Sequence, residues 1–136
     1  MNRSLLPLAV AAIGLAFAGA CSRAAESARP APEQLAAGER AFQKCYACHS
    51  VDPAETGAEG PLLRGIVGRK VASLPDYGYS GAIRAYAAGD ERWSRERLDA
   101  FIADPQAVVP DNAMGFFGIA DVDERGALIA WLTEQR

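Results

Sequence analysis

The chain has 136 residues, 50% of them hydrophobic, with 14 basic against 17 acidic side chains and a formal charge of −3 at pH 7. That length allows one small domain, and the acidic balance argues against nucleic acid and against docking on anionic lipid. Lys44 and Lys70 are the only lysines, so there is no lysine-rich docking ring for an acidic partner.

Asn2-Arg3-Ser4 is a short basic start, and Leu5 to Ala20 is an apolar run rich in Ala and Leu. A membrane span needs about 20 residues. Residues 1–20 therefore read as a secretory signal peptide, with an uncleaved membrane anchor as the other reading. The run closes on Ala18-Gly19-Ala20-Cys21, which resembles a bacterial lipobox, although Ala18 stands where such boxes usually carry Leu. Cys21 is the lipidation candidate. Cleavage before it removes Arg3 and takes the formal charge from −3 down by one, to −4. Residues 21–32, which include Ala28-Arg29-Pro30-Ala31-Pro32, have the small, Pro-containing, aperiodic composition of a flexible tether.

From Glu33 to about Cys45, Leu35, Phe42 and Cys45 are spaced for one helical face, with acidic Glu33 in the first turn. Glycines and prolines dominate Val51 to Pro75, a loop wrapped around something it must cover. Ser80 to Ala87 predicts a short helix. Ser94 is a good N-cap for Arg95 to Ala103, where Leu98, Phe101 and Ile102 form an i, i+3, i+4 stripe, and Asp104-Pro105 ends that helix. Pro110 to Ile119 is loop again. The last helix runs from about Asp123 to Glu134, with Leu128, Trp131 and Leu132 on one face and acids in its first turn. No segment alternates like a strand. Residues 33–136 are thus expected to form an all-α domain of three to four short helices and long loops. Such a domain has too little protein for an unaided core, so a prosthetic group is expected to complete it.

The chemistry concentrates in Cys45-Tyr46-Ala47-Cys48-His49, which holds the chain's one histidine. C-x-x-C-H is the attachment signature of c-type haem. Two thiols three positions apart, on about one helical turn, can each form a thioether with a haem vinyl group, and the next residue puts an imidazole under the iron. Zinc would want four ligands, and no second Cys/His pair lies downstream. A thioredoxin-like pair would need a βαβ pattern that this chain lacks. Apart from Met1 the only methionine is Met114, a thioether for the opposite face of the iron. With Cys21 at the processing site and the other two cysteines on haem, no disulfide is expected.

Over about residues 35–135 the chain resembles class I cytochrome c, in its mitochondrial-like and bacterial soluble branch. Gly38 and Phe42 precede Cys45 as in that family's first helix. Gly60-Pro61-Leu62-Leu63-Arg64-Gly65-Ile66-Val67-Gly68-Arg69 is similar to its G-P-x-L-x-G-x-x-G-R loop. Tyr77-Gly78-Tyr79-Ser80 followed by Trp93 resembles its aromatic pair below the haem. Pro110 to Phe116 resembles its methionine-ligand loop, and Trp131 the aromatic of its last helix. The resemblance implies that Cys45 and Cys48 hold one haem c covalently, with His49 and Met114 as axial ligands. It further implies that the Pro61 carbonyl accepts a bond from the His49 ring, and that Arg69, Tyr79 and Trp93 stabilise buried propionates. Phe116 belongs to the same ligand loop and counts among the haem-binding residues. Gly38 would let Trp131 cross the first helix closely. There are three departures from the family's pattern. Phe101 replaces a Tyr that touches the methionine sulfur in many relatives. Asn112 replaces a Thr near a propionate, where its amide N–H is expected to serve. Ala113 replaces a common Lys.

Two axial protein ligands leave iron no open position, so the remaining chemistry is one electron in or out. His/Met ligation and apolar burial both favour the ferrous state. The expected function is that of a periplasmic one-electron carrier, not an enzyme. It would act between donor and acceptor redox proteins, with no small-molecule substrate, tethered to a membrane through Cys21 or the N-terminal segment. Its charge should steer it to a basic or neutral docking face. A fixed haem subunit of a larger periplasmic redox enzyme is the alternative. A gas-binding haem protein with a labile Met114 fits less well, because four-helix cytochromes of that kind usually carry C-x-x-C-H near the C-terminus. A peroxidase would need a second histidine.

Overall fold

The computed structural model describes residues 29–136. The apolar run, Cys21 and the tether as far as residue 28 lie outside the described residues. Helix α1 spans Pro32–Tyr46. It opens on Pro32, whose missing N–H costs nothing in a first helical turn, so Pro32 belongs to the domain rather than to the tether. Helix α2 is Gly81–Tyr86, capped by the Ser80 hydroxyl, and a 3-10 turn over Ala87–Gly89 continues it. Helix α3 is Arg95–Ala103, and the Ser94 hydroxyl accepts from Arg97 N at 3.2 Å as the sequence predicts.

Helix α4, Pro105–Val108, was not legible in the sequence. Asp104-Pro105 does end α3, but Asp104 Oδ1 then accepts from Gln106 N at 3.1 Å and Ala107 N at 3.0 Å. One Asp-Pro pair therefore stops one helix and caps the next. Helix α5 is Val122–Glu134, with both Asp123 N and Glu124 N donating to Asp121 Oδ1 at 2.9 Å. Among the described residues β pairing is limited to one isolated bridge, Lys70 to Arg92, and the domain is all-α.

The frame of the domain is the crossing of α1 over α5. A Cβ on Gly38 would lie 2.5 Å from Trp131 Cβ and overlap the carbonyl of Ala127, so only glycine lets the two helices approach this closely. The Phe42 and Trp131 rings then meet with centroids 4.8 Å apart. Leu128, Ile129 and Leu132 of α5 and Leu98, Phe101 and Ile102 of α3 bury their side chains behind that crossing. The long loop is pinned to this frame at several points. Gly65 N donates to Gln135 O at 2.6 Å, Gly68 N to Trp93 O at 2.8 Å and Trp93 N to Arg69 O at 2.9 Å. Arg125 ties α5 to α3 through Asp99 (2.7 and 3.3 Å) and to the carbonyls of Ile119 and Ala120 (both 2.9 Å).

Gly38→Ala is expected to destabilise the domain by about 1–3 kcal/mol, because backbone must move to admit the methyl. A thermal melt followed by circular dichroism should show a drop of at least about 4 °C. An unchanged midpoint would contradict the close crossing.

Candidate haem site

The helical turn does not stop at Tyr46. Cys48 N and His49 N donate to Cys45 O at 3.1 and 2.9 Å, which brings Cys45, Cys48 and His49 onto the wall of one cavity of about 320 Å³. The loop that follows turns back sharply: Gly60 N donates to Cys48 O at 2.7 Å and Leu63 N to Ser50 O at 2.8 Å. This sets the Pro61 carbonyl 2.8 Å from His49 Nδ1. A carbonyl only accepts, so Nδ1 carries the proton and the neutral ring keeps its lone pair on Nε2. Burial pushes the imidazole below its ordinary pKa, with the bond to Pro61 opposing, which favours the uncharged form a metal requires. Burial also raises the Cys45 thiol to about 11 against the nearby Lys44. A thiol held protonated in this way is a poor redox thiolate.

Met114, carried by the chain between α4 and α5, lines the same cavity. Most of the remaining lining is apolar: Leu63 and Ile66 from the long loop, Trp93, then Leu98, Phe101 and Ile102 of α3 and Leu128 and Leu132 of α5. Arg69, Tyr79 and Asn112 supply polar groups to it. The Arg69 guanidinium donates to Leu62 O at 2.7 Å and Arg64 O at 3.1 Å. Burial lowers its pKa while Tyr79 beside it opposes. Tyr77 packs edge-on against Tyr79, with ring centroids 4.8 Å apart, and its hydroxyl donates to Glu59 O at 2.9 Å.

Two of the sequence expectations change here. Both amide hydrogens of Asn112 are committed to backbone, to Val109 O at 2.7 Å and Pro105 O at 2.9 Å, so they are not free for a propionate. Phe116 does not line the cavity; it packs partly buried against the surrounding core. Sequence reasoning passed over Gly118, which has φ +92° and whose Cβ would sit 2.8 Å from the Ala103 carbonyl carbon. That close pass lets Ile119 N donate to Ile102 O at 2.9 Å and seats the downstream end of the methionine loop on α3. A glycine directly after two phenylalanines was the one signal for it.

This donor set fits one haem c: two thiols, an imidazole and a thioether line one cavity, apolar side chains make up most of the rest, and Arg69 and Tyr79 supply groups suited to propionates. The cavity is lined mostly by apolar side chains, so a group that fills it takes them out of water and becomes part of the core.

An all-α domain built around a single covalent haem is a class that known proteins share. The cytochrome c family model matches residues 35–135. Cytochrome c2 of Agrobacterium tumefaciens (strain II Chrys) is 37% identical over 98 residues, covering 72% of this chain and 88% of that one. Cytochrome c2 of Rhodomicrobium vannielii is 34% identical over 124 residues, covering 91% and 96%. The structure of cytochrome c2 from Rhodospirillum centenum superposes with a TM-score of 0.68 at 29% identity, over 74% of this chain and 97% of that one. The chain belongs to the cytochrome c family. It carries one covalently bound haem c and transfers electrons to and from redox protein partners; it is not an enzyme.

A Cβ on Gly60 would lie 2.5 Å from His49 Nδ1. Gly60→Ala should therefore push the imidazole off its bond to Pro61 and lower the melting midpoint by about 1–3 kcal/mol of stability.

Proposed function

We propose that Cys45 and Cys48 carry the haem as thioethers, that His49 and Met114 are its axial ligands, and that the chain passes single electrons between donor and acceptor proteins in the periplasm. The observation that carries this reading is one cavity lined jointly by both cysteines of the motif, the chain's only histidine and its only internal methionine. The bound haem supplies the Fe(III)/Fe(II) exchange. Pro61 fixes the tautomer of His49, so the ring needs no reorientation as the charge on its partner changes. Leu98, Phe101, Ile102, Leu128 and Leu132 keep water away and favour the less charged state. Arg69, Tyr79 and Trp93 face the same space and are assigned to the propionates. Phe116 packs partly buried against the core beside the methionine loop. Phe101 has no hydroxyl, so it offers no hydrogen bond to the Met114 sulfur.

Docking does not rest on free lysines. Lys44 pairs with Glu124 at 2.6 Å and Lys70 with Asp90 at 2.7 Å, and an acidic carrier is steered towards a basic or neutral face. Residues 1–20 serve as the export signal, and lipidated Cys21 with residues 22–31 as the tether. Support for this is the lipobox-like string and the composition of the tether. Among the described residues no helix is long and apolar enough to cross a membrane.

The ferric holoprotein should show the weak red charge-transfer band of sulfur-ligated low-spin haem. Met114→Ala should abolish it and open the iron to carbon monoxide or cyanide. Rapid carbon monoxide binding by the parent protein would contradict Met114 ligation and favour a gas-binding role. For the tether, Cys21→Ser should release soluble, haem-loaded protein into the periplasm; retention in the membrane with the N-terminal segment uncleaved would show that the apolar run is itself the anchor.

A further inference from the structure

The segment that presents Met114 has no helix or sheet to hold it, and two side-chain amides take that role. Asn112 is 6% exposed. Its Nδ2 donates to Val109 O at 2.7 Å and to Pro105 O at 2.9 Å, and its Oδ1 accepts from Met114 N at 2.9 Å. Gln106 spans the same turn from its exposed side. Its Nε2 donates to Asn112 O at 3.1 Å, and its Oε1 accepts from Asp111 N at 3.2 Å. Both bind the loop back to α4, which Asp104 caps. Between them Asp111 adopts φ +60°, a left-handed conformation that a non-glycine residue keeps only when its surroundings hold it there.

A thioether is a neutral, soft donor on a side chain with three rotatable bonds. Its residence on iron depends on how far the backbone has already removed the alternatives, since preorganisation lowers the cost of every contact made afterwards. We propose that Asn112, assisted by Gln106, is a positioning residue that clamps the Met114 loop in its ligating conformation and keeps the methionine-off state rare. Asn112 never touches the iron in this role. It acts through the Met114 amide and the two carbonyls behind it. The inference rests on Met114 being the axial ligand, and the test separates the two claims.

The readout is the affinity of the ferric holoprotein for added imidazole, which must displace Met114 and so scales with the methionine-off population. Asn112→Ala removes three hydrogen bonds and should bind imidazole about tenfold more tightly or better. Gln106→Ala, on the exposed side, should give a smaller gain of about threefold. Met114→Ala, with no methionine to displace, should bind more tightly than either. Asp121→Ala removes the cap of α5 without touching this loop; it should lower the melting midpoint yet leave imidazole affinity at the parent value, which distinguishes clamping from general destabilisation. Parent-like affinity in Asn112→Ala would overturn the inference. If that variant fails to load haem, parent-like affinity in Gln106→Ala would overturn it instead. Absence of the red sulfur band from the parent protein would remove Met114 as ligand and the clamp with it.

Discussion

A domain of about a hundred residues that arranges α1, α3, α5 and two long loops around a cavity of about 320 Å³ depends on the group that fills it. Apolar side chains of the core, Leu98, Phe101, Ile102, Leu128 and Leu132 among them, also line that cavity. Closing that space with protein alone would take larger side chains or more chain than is present. The haem therefore counts as core as much as Leu128 or Phe101 does, and its covalent attachment prevents the core from leaving. The stretches rich in glycine and proline follow from this, since they lie over the cavity rather than over another layer of helix.

The two walls are held by different means. The proximal wall is local: Cys45, Cys48 and His49 leave the end of α1 in one turn, and a single carbonyl at Pro61 orients the imidazole. The distal wall is assembled from afar. Met114 sits in a loop whose upstream end is bound by Asn112 and Gln106 and whose downstream end is seated on α3 through the close pass at Gly118. The two proposed ligands are neutral and the cavity is largely apolar, an environment that favours the less charged iron.

Much of this was legible in the sequence, because the relevant signals are local. Ser94 before an i, i+3, i+4 stripe specifies α3, and acids in a first turn mark α5. C-x-x-C-H names its cofactor through spacing alone. The parts that were not legible depend on residues far apart in the chain or on the exact use of a polar group. Asp104-Pro105 reads as a stop, and nothing nearby says that the same pair also starts α4. Arg125 meets Asp99 across 26 positions, which no local pattern encodes. Asn112 stands where the family's pattern has a Thr at a propionate. An amide has two donors and an acceptor where a hydroxyl has one donor, and the extra capacity is spent on the methionine loop. Phe116 shares the ligand loop, and nothing in its local sequence says that it packs partly buried against the core.

The central claim is that the core of this domain is completed by a group bonded to Cys45 and Cys48. Intact-mass measurement of the purified protein after denaturation in acidified organic solvent tests it most directly. The account predicts a polypeptide heavier by one haem, with no haem released into the solvent phase. A folded, coloured protein that yields haem-free polypeptide under those conditions would contradict it.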